Sequence, residues 1–290
     1  MRKIAIFNIE SFASHSALRM ILKKHQDQIK LVVLSRPIKA QKKPFVQQVY
    51  NHWKNAGSSY VQYLTLNFLA HPYLATVSGW AGKIFNGSKN SGSIAQLCSE
   101  LGIDYIYTDN VNSREVVEHL KKSDIDLITV YYFDQILKGD ILSFPKHGII
   151  NFHAAMLPHC KGLHPIIWSA LENKPFGLSA HLIVDEKIDA GPVIGQIELQ
   201  NTQTTHILDL EQQVNEAGVK LYSKVIRDWP RQNKLSPQVN GSYFSHPKVK
   251  DLNKLKQQGY SLTNVKKWFK SYFTQSQSKY QKPLKSTAAL

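Results

Sequence analysis

Apolar residues in this chain recur with two different periods. Lys3 to Ile9 (KIAIFNI) is a short run rich in β-branched residues, and from Ser11 to Lys24 the residues Leu18, Ile21 and Leu22 recur at helical spacing, which predicts a strand and then a helix. A second run, Lys30 to Leu34, ends at Ser35, and the Arg36-Pro37 step forbids simple continuation, so the opening is a parallel βαβ unit. After a long interruption the rhythm resumes. A helix is predicted at Ile94 to Leu101, a strand at Asp104 to Tyr107, a helix capped at Asn112/Ser113 and running to Lys121, and strands at Asp126 to Tyr131 and Gly148 to Phe152. Pro165 fits the first turn of a helix whose buried face is Ile166, Ile167, Ala170 and Leu171. Leu178 to Val184 and Val193 to Leu199 read as two more strands, joined by a turn-rich loop that carries Asp185, Asp189, Gly191 and Pro192. Such alternation predicts a doubly wound, mostly parallel α/β sheet with its ligand site beyond the C-terminal strand ends, where His153 falls.

From His206 the pattern turns helical. Ile207, Leu210, Val214, Leu221 and Val225 share one helix face, which ends before Pro230, and two basic helices follow around 248–258 and 264–273, docking on the main domain. The expected division is a main domain over 1–205 with an apolar helical insert at about 44–90, a helical C-terminal extension over 206–275, and a polar, disordered tail over 276–290. Within the insert, Ser58 to Gly82 contains no Asp, Glu, Lys or Arg and accumulates aromatic residues. A membrane span needs roughly 20 predominantly apolar residues, and here Gln62, Asn67, His71, Pro72 and Ser78 interrupt the run. A pair of helices is expected instead, covering the sheet, forming a homodimer contact, or lying in a membrane interface.

With 42% hydrophobic residues the chain is not wholly disordered. The apolar run after Met1, Arg2 and Lys3 breaks at Asn8 and Glu10, so no secretory leader is read and a cytoplasmic location is expected. Cys98 and Cys160 form no CxxC pair and join no Cys/His cluster at metal-ligand spacing, so free thiols and no metal are expected. A net charge of +15, from 36 Lys and Arg against 21 Asp and Glu, attracts nucleic acid, anionic lipid or phosphorylated substrates without distinguishing them.

The chemistry concentrates in Ile150 to Gln196, INFHAAMLPHCKGLHPIIWSALENKPFGLSAHLIVDEKIDAGPVIGQ. An Asn-x-His sits at a strand end, Leu157-Pro158 and Gly162 precede a helix, and Asp185-x-x-x-Asp189-x-Gly follows a further strand. Each element alone is weak, since an Asn-x-His is usually structural and an Asp among glycines is usually a turn former. Their order and context carry the signal, and the stretch closely resembles the signature region of the folate-dependent formyltransferases. That resemblance implies a Rossmann-like formyltransferase fold, 10-formyltetrahydrofolate as formyl donor, a primary amine as acceptor, and Asn151, His153 and Asp189 on the three catalytic positions. It also points to Phe133, Gln135, Ile136 and Leu137, with His181 and Asp185, as the folate-binding region; His181 lies in an apolar strand and is as well read as a core histidine. The residue types suit the reaction. Formyl transfer develops negative charge on oxygen, to which Asn151 and a protonated His153 can donate, and the attacking amine must lose a proton, which His153 can take with Asp189 orienting it. His159 and Cys160 depart from the family pattern, which places acceptor contacts from that turn in question.

The resemblance leaves three acceptor classes. The segment NIESFASHS has no glycine to cradle a ribonucleotide phosphate after the first strand, and 206–290 reads as helical where the methionyl-tRNA enzyme carries a β-barrel. An amino sugar, nucleotide- or lipid-linked and hence phosphorylated, is the expected acceptor, with tRNA second because of the charge; peripheral membrane contact stays open. A formyltetrahydrofolate hydrolase and a non-catalytic folate-binding relative are the other readings.

Overall fold

In the computed structural model, which describes residues 2–38, 44–84, 92–202, 204–230, 235, 238 and 240–272, the first apolar run is strand β1 (Ile4–Ile9). Ser11 caps α1 (Phe12–Lys24) by accepting from the Ser14 amide, one of the donors that a helix start leaves without a partner. β2 (Ile29–Ser35) follows, and then the insert: α2 (Phe45–Ala56), α3 (Ser58–Leu64), a π-helical stretch (Thr65–Ala70) and α4 (His71–Ile84). The strand and helix rhythm returns with α5 (Ile94–Leu101), β3 (Asp104–Thr108), α6 (Arg114–Lys122), β4 (Leu127–Tyr131), α7 (Asp140–Ser143) and β5 (Ile149–His153). Next come β6 (Lys161–Gly162), α8 (Pro165–Leu171), β7 (Gly177–Leu182) and β8 (Val193–Glu198). The last described elements are α9 (Ile207–Asp228), β9 (Tyr243–Phe244), α10 (Val249–Gln257) and α11 (Val265–Lys270).

Seven strands form one sheet in the order β3-β2-β1-β4-β5-β7-β8. The pairs among β3, β2, β1, β4 and β5 are parallel, and β7 runs antiparallel to both its neighbours. Alternate residues of β1 feed two cores: Ile4 and Ile6 join Leu18, Ile21 and Leu22 of α1 on one face, while Ala5 and Phe7 meet Val116, Val117 and Leu120 of α6 on the other. Burial on both faces explains why these strands read as continuous apolar runs. Having reached the β3 edge, the chain returns to β4 on the other side of β1. That reversal opens a crevice at the C-terminal ends of β1 and β4, the usual ligand site of such sheets.

The helical C-terminal part packs on this frame. α9 lies along α1 and against β7 with Ile207, Leu210, Val214 and Val225 buried. α10 rests on α8 and α2, and Trp268 of α11 is buried beside Phe12. Phe273 and the expected tail over 276–290 lie outside the described residues.

The insert is more continuous than the expected pair of helices. Gly57, at φ 83, separates α2 from α3, and the helical path then runs unbroken from Ser58 to Ile84. Tyr60, Tyr63, Asn67, His71, Ala75 and Gly79 are buried along it. Their spacing averages more than 3.6 residues per turn, and the wider π-helical turns keep this stripe facing inward. Two of the polar interruptions, Asn67 and His71, are buried, and Asn67 is held on both sides: the Ala13 amide donates to its Oδ1 at 3.0 Å, and its Nδ2 donates to the Tyr132 hydroxyl at 3.0 Å. Among the described residues no helix is long and apolar enough to cross a membrane.

Glu211 of α9 anchors this wall, accepting from the Tyr63 hydroxyl at 2.7 Å and from the Tyr132 hydroxyl at 3.1 Å. Burial pushes its carboxyl up to about 7, against the opposing effect of those two hydrogen bonds. The folded chain therefore holds this proton where an unfolded chain has lost it, so stability falls as pH rises from about 4.5 to about 7 and then levels off. The group accounts for about 3 kcal/mol of that fall at most. Thermal melts of Glu211→Gln at pH 5 and pH 8 should show a stability difference from wild type that shifts in the variant's favour at the higher pH. A difference independent of pH would refute the assignment.

Candidate active site

Asn151 and His153 are two residues apart on β5, so their side chains leave the strand on the same side, at its C-terminal end. β7 pairs with β5 in a register that sets His181 directly opposite Asn151. The loop from β7 to β8 then brings Asp189 back over the pair. Asn151 Nδ2 donates to Asp189 Oδ1 at 3.0 Å, and it also lies 3.0 Å from His181 Nε2. His181 Nδ1 donates to the Leu182 carbonyl at 2.9 Å, which leaves Nε2 as the acceptor of the second Asn151 hydrogen. His153 Nε2 donates to the Cys160 carbonyl at 2.9 Å, so Nδ1 is the nitrogen turned toward Asp189 Oδ2, 3.5 Å away. Asp189 and His153 thus face each other without a short hydrogen bond.

Asp189 is 9% exposed. Burial alone would raise its carboxyl, but the facing His153 and the Gly162 amide hold it well below the usual carboxylate range. The Gly162 amide donates to Oδ2 at 2.8 Å. Two glycines make the arrangement fit. Gly162 has φ 96, and a Cβ on Gly191 would stand 1.9 Å from the Leu182 carbonyl oxygen, so the Asp189 loop can lie against β7 only with glycine there. Non-glycine residues in the left-handed region gather around the same point: Tyr132 (φ 54), Cys160 (φ 55), His164 (φ 53) and Asp189 (φ 49). Backbone of this kind costs of order 1–3 kcal/mol per residue and concentrates at functional sites.

A cleft of about 580 Å³ opens above these side chains. Its floor is the ends of β1, β4 and β5, and one wall is the loop after β4 with Phe133, Gln135, Ile136 and Leu137; Asp185 and Asp189 close another side. The residues named from the sequence are therefore together, with differing parts. Gln135 holds the loop in place, its Oε1 accepting from the Val111 amide and its Nε2 donating to Ser35 Oγ. Phe133 packs against Phe7, and Leu137 is buried, while Ile136 is exposed. His181 is 1% exposed and holds Asn151, and Asp185 caps the Lys187 amide. Cys160, the departure noted in the sequence, acts through its carbonyl, its thiol being buried.

The opposite wall was not legible as part of the site. It is built by the insert, with Phe45, Val49, His52, Leu64 and Phe68 lining the cleft. Beside it Tyr60, His164 and His246 meet: the Tyr60 hydroxyl lies 2.6 Å from His164 Nε2 and 2.9 Å from His246 Nδ1. Burial drives the His164 imidazole down to about 3, so that ring is uncharged at neutral pH. Polar residues among the apolar positions of the insert were the only signal in the sequence.

Fold and site together define a doubly wound α/β protein with an Asn-His-Asp group on the strand next to its topological switch point. The chain belongs to the formyl transferase family, whose model matches residues 81–226. A methionyl-tRNA formyltransferase of Bacillus velezensis is 34% identical over 125 residues, 43% of this chain and 39% of that relative, so the matched part spans well under half of the relative's length. Glycinamide ribonucleotide transformylase 1 from Symbiobacterium toebii has a similar structure, with a TM-score of 0.54 and 16% identity over 82% of this chain and 94% of that one. An N-formyltransferase from Helicobacter canadensis, in complex with folinic acid and dTDP-3-aminofucose, gives a TM-score of 0.52 at 21% identity over 84% of this chain and 71% of that one. These structures share the mostly parallel sheet with flanking helices.

Proposed function

We propose that this chain is a folate-dependent N-formyltransferase that moves a formyl group from 10-formyltetrahydrofolate to the primary amine of an amino sugar carried on a nucleotide or a lipid. The observation that carries the reading is the Asn151, His153 and Asp189 group at the floor of a cleft closed by the insert. The cleft fits the donor: it is concave, predominantly apolar, and has a few convergent polar groups. Ile9, Val130, Leu137 and Ile183 offer apolar surface to a flat ring system, beside the 133–137 loop. When bound, the donor supplies the electrophilic formyl carbon. Asn151 donates to the formyl oxygen as negative charge develops there, releasing the hydrogen it gives to His181. His153 takes the proton of the attacking amine and returns it to the departing nitrogen, while the Asp189 carboxylate stabilises the imidazolium in between. The insert supplies the wall that faces Asn151 and His153 across the cleft.

The cleft also bears on the acceptor. Lys187 is the only lysine or arginine among the described residues that line it, so little of the positive charge on those residues faces the cleft. Its aromatic and histidine corner suits the uncharged body of a sugar. At the mouth Phe45, Val46, Tyr50 and Trp53 of α2 are exposed, an apolar face beside which a lipid carrier has a place to lie. The overall charge and the likeness to a methionyl-tRNA formyltransferase support tRNA as a second reading. Incubation with 10-formyltetrahydrofolate and a panel of nucleotide-linked amino sugars, lipid-linked amino sugars and methionyl-tRNA should give one formylated product, read by mass. Formate release with no formylated amine would make the chain a hydrolase and overturn the reading.

A further inference from the structure

Outside the cleft, at the C-terminal end of β1, three residues far apart in sequence converge. Glu10 directly follows β1, His15 lies in the first turns of α1, and His71 opens α4 of the insert. One donor atom from each lies within 4.8 Å of the other two. The His15 and His71 rings cross at nearly a right angle with centroids 4.5 Å apart. Glu10 is 6% exposed and His71 4%.

None of the three groups satisfies the others. Glu10 Oε1 and His15 Nδ1 are 3.7 Å apart, beyond hydrogen-bond range. His15 Nδ1 and His71 Nε2 are buried with no hydrogen-bond partner. A buried polar atom left in this way costs about 1–3 kcal/mol, and here two of them face one small space with a carboxylate. His71 Nδ1 is bonded to the Tyr272 hydroxyl, and Glu10 Oε1 accepts from the Ile94 amide at 2.9 Å. In the tautomer whose Nδ1–H donates to Tyr272, His71 Nε2 carries a lone pair that no protein group bonds. Arg19, the cation nearest in charge, donates instead to the Gly92 carbonyl, and no lysine or arginine among the described residues forms an ion pair with Glu10. Burial without such a partner pushes the Glu10 carboxyl up to about 7.

We propose that Glu10, His15 and His71 form a binding site for one divalent transition-metal ion, with zinc the best match to two imidazole nitrogens and a carboxylate. Tetrahedral zinc holds its ligand atoms about 3.4 Å apart, so donors that lie within 4.8 Å of one another need close by no more than about 1.4 Å on binding. The ion gives both orphaned nitrogens a partner and neutralises the carboxylate. Tyr272 and the Ile94 amide then act as the outer partners that orient a ligating histidine and a ligating carboxylate. The site fastens the insert to β1 and α1, and it reaches the helical C-terminal part through Tyr272. It needs no part of the formyl chemistry.

The test uses the full chain, stripped with a chelator and titrated with Co²⁺. One equivalent should produce the intense visible bands of a four-coordinate cobalt centre with nitrogen ligands, and one equivalent of Zn²⁺ should abolish them and raise Tm by several degrees. Glu10→Gln and His71→Ala should each lose the cobalt spectrum, whereas His246→Ala, in the separate histidine corner of the cleft, should keep it. If His71→Ala fails to fold, the wild-type titration and Glu10→Gln decide alone. Wild-type chain that develops no such spectrum and shows no Zn²⁺-dependent change in Tm would overturn the proposal, as would a spectrum that survives in Glu10→Gln and disappears in His246→Ala.

Discussion

Asp189→Asn should lower turnover by about two orders of magnitude or more, with the fold intact. The side chains have the same shape, so packing is conserved. The hydrogen bonds are not, because Asp189 accepts on both oxygens, from Asn151 Nδ2 at 3.0 Å and from the Gly162 amide at 2.8 Å. Asparagine has one accepting oxygen, and its amide must face one of those two donors. Either Asn151 turns away from its place on β5 or the loop loses Gly162. The negative charge opposite His153 Nδ1 disappears as well, and with it the stabilisation of the imidazolium formed when His153 takes the amine's proton. Steady-state rates at saturating donor, with a thermal melt of the same sample, check both halves. A near-wild-type rate would remove Asp189 from the mechanism.

His153→Ala should be as severe, again about two orders of magnitude or more, for a different reason. No other histidine is placed to replace it. His181 is sealed at 1% exposure with both ring nitrogens engaged, and His164 belongs to the corner formed with Tyr60 and His246. Alanine also leaves the Cys160 carbonyl without its donor, so part of the loss can arise from a shifted turn at 157–162. His153→Gln separates the two effects, since its amide can donate to that carbonyl but cannot carry a proton between amine and leaving nitrogen. Both variants should bind folinic acid as wild type does and share the rate defect. Recovery of activity in His153→Gln would reduce His153 to a positioning residue.

Much of the frame was legible because local rules and tertiary packing agree. The period of two in β1 sends Ile4 and Phe7 to opposite cores, Ser11 and Ser113 stop the chain with side chains that cap, and Pro165 opens a helix at the position where its missing amide does no harm. The Asn151 and His153 pair was legible because a strand places residues two apart on one side. What escaped depends on contacts that no local pattern encodes. Glu211 is accommodated on the buried face of α9 because two tyrosine hydroxyls, from an insert and from a loop, come to meet it. His181 reads as a core strand residue, and it is one, yet its place opposite Asn151 follows only from the antiparallel turn of β7. Glu10, His15 and His71 carry no metal-ligand spacing at all, being joined by the path of the insert over α1.

The two sides of the cleft have separate origins along the chain. Apart from Ile9 at the end of β1, the floor and the 133–137 loop come from residues 130–189, inside the family's matched region, while the facing wall comes from residues 45–69, outside it. Gly57, at φ 83, divides even that wall into α2 and the long helix behind it. α2 contributes Phe45, Val49 and His52 to the cleft but buries only Ala56 fully. Substitutions on α2 can therefore accumulate without disturbing either core or catalyst. On the proposed function, the acceptor side of the cleft can be redrawn through one amphipathic helix while Asn151, His153 and Asp189 stay in place.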